Sequence, residues 1–481
     1  MAILAAFMVP HPPMIVPQVG RGSETQIQKT IDAYTKVAEE IAKLRPETIL
    51  ISSPHATMYA DYFHISPGIE ARGSFSGFGA PAVSFTETYD AELVGRIEIL
   101  AQETDFPAGT LGQRDRTLDH GTMVPLYFIR QKYDNFKIVR IGLSGLPLTE
   151  HYAFGQLIQQ AVHATGRRVV YVASGDLSHK LQEYGPYGFT PEGPQYDARI
   201  MDVCARGAFG ELFDFKEHFC DKAAECGHRS FVIMAGVLDG LRVEARQLSH
   251  EDVTGVGYGI CTFHVQEPEH MAEDRRFLTH YLRERQTVLQ KQQEAADVYV
   301  KLARKSLEHY MIHRQKLSVA EGLADLSNPY VSADAAEQDA LHALQTTQAG
   351  AFVSIHEHGR LRGCIGTILP TTDCVAEEII QNAISASTRD PRFAPITAEE
   401  LPWLEIHVDV LGAPERIASA GQLDVKRYGV IVTSGVKRGL LLPDLDGVDT
   451  VEQQLSIAMQ KGGIRPGDPI ELERFEVIRH V

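Results

Sequence analysis

The chain has 481 residues, too many for one ordinary core, so two or three domains are expected. Apolar residues make up 44% and charged residues 23%, the proportions of a folded, water-soluble protein, which excludes a disordered or fibrous chain. A formal charge of −17 excludes nucleic acid as a general partner, because phosphate binding needs a basic face.

The apolar opening Met1–Pro10 carries no Lys or Arg and no cleavage site, so it reads as a buried strand rather than a signal peptide. No run reaches the roughly 18 apolar residues of a membrane helix. Strand-like runs follow at Ile3–Val9, Thr48–Ser52, Lys137–Leu143 and Arg168–Ala173, with helical spacing over Thr25–Leu44 and Tyr89–Glu103. This alternation predicts an α/β domain over residues 1–265, with a mixed sheet flanked by helices. Residues 266–292, with Glu267, Glu269, Glu273, Asp274, Arg275 and Arg276, read as a charged linker or solvated helix. A smaller α+β domain is expected over residues 293–481. It opens with a helix from Ala295 and has hairpins around Glu357-His358-Gly359-Arg360 and Ser434-Gly435. Strands over Leu404–Leu411 and Ile470–Ile478 complete it, with a Thr450/Gln453 capping box on a helix ending at Gly462-Gly463. The six cysteines form no CxxC pair and no disulfide framework, so a reducing cytoplasm is the simplest compartment.

Four histidines of the first domain share one context, a polar segment after or near an apolar strand: His11, His55, His120 and His179. Any one alone is most simply a loop histidine. Strand ends of one sheet, however, converge on one rim, where ligands gather. Two imidazoles and one carboxylate leave open positions on a metal, a set suited to non-haem Fe(II) and oxygen. Glu225, ahead of the apolar run Phe231–Leu238, is the carboxylate expected to complete the set. As a helix-start acid it would equally serve the helix dipole. Asp119 and Asp176 either orient the imidazoles or cap their loops.

His11-Pro12-Pro13, Ser53-Pro54-His55, the run Asp119-His120-Gly121-Thr122-Met123-Val124-Pro125-Leu126 and Gly175-Asp176-Leu177-Ser178-His179 resemble the LigB-type class III extradiol dioxygenases, in that family's order. The resemblance covers residues 1 to about 265. It implies that His11, His55 and a late glutamate, matched to Glu225, bind Fe(II). It also implies that His179 is the acid/base and that His120 lines the pocket for a catechol-like aromatic cleaved with O2. Cys226-Gly227 resembles the related Memo family, in which a cysteine at that place binds the metal. Cys226 therefore stays open as the third ligand, and a thiolate would favour Zn(2+) or copper over iron.

In the second domain, Leu361-Arg362-Gly363-Cys364-Ile365-Gly366-Thr367 and Arg389-Asp390-Pro391-Arg392-Phe393 resemble the AMMECR-type domain. Gly363 and Gly366 lack the lysine of a phosphate loop and are expected to permit a tight β-arrangement. Cys364 reads as a buried strand residue, or as a thiol activated by Arg362. The fused pair looks like the AmmeMemoRadiSam system protein A family. That resemblance implies a radical SAM protein as partner and is compatible with a homo-oligomer. The expected function is an Fe(II) extradiol dioxygenase; the alternative is a metal-binding accessory protein without oxygenase activity.

Overall fold

A computed structural model describes residues 2–114, 116–266, 271–324, 326, 335–357, 359–445 and 447–481. The expectations placed on Glu267, Glu269 and His358 lie outside these residues. The chain divides into two compact units, Met1–Leu282 and Arg283–Val481. No helix among the described residues is long and apolar enough to cross a membrane.

The first unit is built on six strands: β1 (Ile3–Val9), β2 (Thr48–Ser53), β3 (Lys137–Gly142), β4 (Val169–Ser174), β5 (Val243–Glu251) and β6 (Tyr258–Val265). Their order is β3-β2-β4-β1-β6-β5. The first four are parallel, and β6 and β5 are added antiparallel at one edge. β1 is buried along its whole length, as a strand covered on both faces must be. Phe7 and Val9 pack towards helices α1 (Gln28–Leu44) and α3 (His120–Ile129). Ala6 and Met8 pack towards α2 (Ala91–Glu103), α4 (Leu148–Thr165), α5 (Glu192–Arg206) and α6 (His228–Val237). The result is a three-layer α/β/α unit whose parallel strands end on a common rim. The antiparallel edge, the hairpin of Glu70–Phe75 with Ala80–Thr88, and α4 and α5 are elements that the sequence pattern did not reveal.

After the helix α7 (Phe277–Ala295), the second unit comprises α8 (Val298–His313), β7 (Ala351–Glu357), β8 (Arg360–Gly366), α9 (Val375–Thr388), β9 (Leu404–Leu411), β10 (Tyr428–Ser434), β11 (Lys437–Leu441), α10 (Val451–Lys461) and β12 (Glu471–His480), with shorter pieces between. Every pairing is antiparallel, in the order β8-β7-β9-β12-β10-β11. β12 carries the curl: Val477–His480 pair with β9, whereas Glu471–Glu476 pair with β10. Two cores follow. One lies under α8 and α9 against β7 and β9, the other under α10 against β10 and β11. The capping box expected at Thr450 and Gln453 is formed, each side chain meeting the other's backbone N–H.

Candidate metal centre

His11 follows β1, His55 follows β2, and Asp176 and His179 follow β4, so three neighbouring parallel strands deliver them to one rim. His120 arrives differently. It is the first residue of α3, not a loop residue, and Asp119 is the N-cap, accepting the Thr122 backbone N–H at 3.0 Å. The Ser53 hydroxyl donates to the same carboxylate at 2.5 Å, and Ser53 Oγ accepts the His55 N–H at 3.2 Å. One capping carboxylate thereby ties the His55 loop to the helix that carries His120. A side chain at Gly121 would bring a Cβ within 2.3 Å of Ser53 Oγ, so the close approach depends on glycine there.

His11 is held most firmly. Its backbone N–H donates to Asp176 Oδ1 at 2.7 Å, and its ring is buried. Ser174 Oγ lies 2.6 Å from the Gly121 carbonyl and 3.0 Å from His11 Nδ1. A carbonyl can only accept, so the hydroxyl proton points at Gly121 and Ser174 accepts from Nδ1–H. That places the lone pair of His11 on Nε2, facing the rim. Burial, and then His55, lower the His11 pKa to about 3, so the ring is neutral near pH 7, as a ligand imidazole must be. His120, with its ring centroid 4.0 Å from that of His55, is lowered to about 3 chiefly by burial.

His55 Nε2 stands 3.0 Å from His11 Nε2, and Cys226 Sγ stands 3.7 Å from His11 Nε2. Two imidazole nitrogens about 2.1 Å from one ion and a thiolate about 2.3 Å from it would be spaced roughly 3.0–3.4 Å and 3.6 Å at ordinary ligand angles. The donor set therefore fits a transition-metal ion. Among the described residues, two groups bring ligand atoms within 4.8 Å of one another: His11, His55 and Cys226, and Asp176, His179 and Cys226. Glu225 belongs to neither. Its carboxylate turns to the start of α6 and accepts the His228 backbone N–H at 2.6 Å, while burial raises its pKa to about 7. What presents sulfur rather than carboxylate is a backbone contact. A Cβ on Gly175 would lie 2.1 Å from Gly227 Cα, so the Gly-Asp-Leu-Ser-His loop and the segment before α6 touch main chain to main chain. The Asp176 N–H then reaches Cys226 Sγ at 3.3 Å.

His179 stands beside this set. Its Nε2 is 4.0 Å from Asp176 Oδ2, the same distance that separates this oxygen from His11 Nε2. Burial lowers the His179 pKa, and burial raises that of Asp176 to about 6. Two aromatic residues that the sequence did not single out flank the rim. Phe78 lies edge-on to His120 at 5.4 Å, and Tyr187 stacks on His179 at 5.2 Å. Ser174 also went unread, although a polar residue closing an apolar strand was its signal.

An α/β unit whose strand-end rim gathers histidines and a cysteine at metal-ligand spacing is the class that this geometry defines. Comparison with known proteins then names the family: residues 5–261 match the catalytic LigB subunit of aromatic ring-opening dioxygenase and residues 300–480 match AMMECR1, so the chain belongs to the LigB family and carries an AMMECR1 domain after it. A protein of Clostridium acetobutylicum is 40% identical over 487 residues, covering 100% of this chain and 99% of its own length, so the fused arrangement is shared. A Thermotoga maritima protein is 54% identical over 135 residues, 28% of this chain and 78% of that protein. Among solved structures, an uncharacterized protein of Pyrococcus horikoshii is similar at 26% identity and TM-score 0.33, over 39% of this chain and 91% of its own. An uncharacterized protein of Escherichia coli K12 is similar at 15% identity and TM-score 0.37, over 54% and 99%.

Proposed function

We propose that the first unit is a metal-dependent enzyme of the ring-opening dioxygenase type, with the metal held by His11, His55 and Cys226 and a small catechol-like aromatic as substrate. The observation that supports this most directly is the convergence of two Nε2 atoms and one Sγ at 3.0 and 3.7 Å, beside a histidine outside that set. A bound Fe(2+) would supply Lewis acidity towards two substrate oxygens and a position for O2. A thiolate at Cys226 contributes the same single negative charge that a carboxylate would, so a monoanionic diol still balances the site.

The protein groups around it have defined work. His179, neutral near pH 7, takes a phenolic proton at Nε2 and holds it against Asp176 4.0 Å away, then returns it to the opened product. His120 donates to a substrate oxygen. Phe78, edge-on to His120, and Tyr187, stacked on His179, supply apolar walls beside the rim. The carboxylate expected from Glu225 takes no part as a ligand in this reading, because it caps α6.

A second reading is favoured by the sulfur ligand. Zn(2+) or copper held by the same three residues would make the unit a metal-binding accessory of a radical SAM modification system, without oxygenase activity. Anaerobic purification with metal analysis, followed by addition of Fe(2+), a catechol panel and O2, separates the two. Near-stoichiometric iron with oxygen uptake and a yellow ring-fission product is the expected outcome. Tight zinc or copper with no oxygen uptake selects the accessory role. His179→Ala is expected to keep the metal and abolish turnover, and loss of metal from that variant would make His179 a ligand.

A further inference from the structure

The second unit contains a cleft of about 820 Å³ where its curled sheet folds on itself, within the roughly 300–1,000 Å³ range typical of small-molecule sites. Strand register shows what covers its floor. Ser354 on β7 lies directly opposite Cys364 on β8 and His407 on β9, and directly opposed residues share a sheet face. The Ser354 hydroxyl donates to Cys364 Sγ at 3.3 Å. Val353, Ile355, Ile406 and Val408, which alternate with these residues, are buried in the core under α8 and α9. One face of the same strands thus builds the core, and the other presents a thiol, a hydroxyl and an imidazole to an open cleft.

Two further observations give the cleft a ligand preference. On a chain of formal charge −17, the described residues lining the cleft include three cations (Arg392, Lys461 and Arg479) and two carboxylates (Asp409 and Asp444). Phe352 and Leu361 on one wing, with Leu440, Leu442 and Leu445 on the other, make the remaining wall apolar. In addition, Nδ1 of the lining residue His356 is shielded from solvent and has no hydrogen-bond partner among the described residues, an unmet bond that is costly to leave unmade.

We propose that this cleft is a binding site for a small amphiphilic carboxylate, its head group held by Arg392 and Arg479 and its apolar body lying over the Cys364–Ser354–His407 row. The surplus of one positive charge matches a monoanion better than a phosphate monoester, which carries about −1.5 to −2 near pH 7.

The test uses the full-length chain and measures the rate at which iodoacetamide alkylates Cys364, located by peptide mass spectrometry. Benzoate, octanoate, phenyl phosphate and inorganic phosphate are the probes, and calorimetry provides the affinities. Benzoate or octanoate is expected to slow alkylation of Cys364, and Arg392→Gln to weaken that protection about tenfold or more, the loss of a charged hydrogen bond. Arg479→Gln is expected to do the same. Each arginine also neutralises a buried carboxylate, Arg392 that of Asp390 and Arg479 that of Asp409, so the fold of both variants is checked by circular dichroism. Arg206→Gln, in the other unit, is expected to leave protection intact. Four outcomes overturn the proposal: no alkylation of Cys364 in the free protein, no protection by either carboxylate, full protection retained in Arg392→Gln, or inorganic phosphate protecting as well as the carboxylates.

Discussion

In the first unit the chemistry stands where parallel strands stop; in the second it lies along the middle of antiparallel strands. His11, His55 and Asp176 each sit just beyond a strand whose residues are buried on both faces, so the ladder and the ligands are separate stretches of chain. Ser354, Cys364 and His407 sit within the ladder, each next to a residue that builds the core. Rim side chains are tied to one another by loop contacts, such as the Asp176 carboxylate that accepts the His11 N–H, and not to the packing behind the sheet. A sheet face couples each reactive residue to the packing behind it through the two-residue alternation.

The sharpest way to break this contrast is to remove one group from each place. His55→Ala or Cys226→Ala is expected to abolish metal retention in the purified chain with little change in the far-ultraviolet circular dichroism. Cys364→Ser is expected to leave metal content unchanged. Loss of metal from Cys364→Ser would mean that the two regions are not separate in function, and metal kept by His55→Ala would remove the centre as drawn.

Next in size are two close backbone contacts. Gly175→Ala pushes a Cβ against Gly227 Cα, and Gly363→Ala pushes one to 2.2 Å from the Ala386 carbonyl of α9. Each is expected to cost about 3 kcal/mol, the upper part of the range for overpacking a tight contact. The two are read separately, because Trp403, the one tryptophan, lies in the second unit. Its fluorescence should shift to lower urea midpoint in Gly363→Ala and stay in place in Gly175→Ala. A shift in both would show that the units unfold together.

A smaller effect comes from Asp390, buried beside Arg392, which accepts the Cys364 N–H at 2.9 Å. Asp390→Asn is expected to cost about 1.5–3 kcal/mol, the range for losing a charged hydrogen bond. The Arg392 side chain holds the carboxyl well below the usual range. A depressed carboxyl stabilises the fold above its unfolded value of about 3.9, and the contribution fades as pH falls towards the folded value. The Trp403-detected gap between wild type and Asp390→Asn should therefore be full at pH 7 and narrow on acidification below about pH 4. A gap that instead closes on going alkaline would refute this origin. The smallest change expected is in Thr450→Ala, about 1 kcal/mol for one lost N-cap, again read at Trp403.

The same contrast explains what could be read from the sequence. The rim positions of His11, His55 and His179 were legible because each follows an apolar run and a turn, both local signals. The capping box at Thr450 and the hairpin of β10 and β11 were legible for the same reason. Which side chain completes the proposed set was not. Glu225 and Cys226 are neighbours, and which one faces the rim depends on the contact between Gly175 and Gly227, 52 residues apart. The row formed by Ser354, Cys364 and His407 was equally hidden, because it exists only once three strands are paired in register. Cys364 was read as buried or activated; it is half-buried, burial raises its pKa, and it faces a cleft.

The contact between Gly175 and Gly227 has a further consequence for how such a centre can change over generations. It holds the main chain beside position 226, so the donor atom offered to the rim is a one-codon variable on a fixed mount. Exchanging sulfur for carboxylate, as in Cys226→Asp, would recast the preference among metals without rebuilding the loop or the helix behind it.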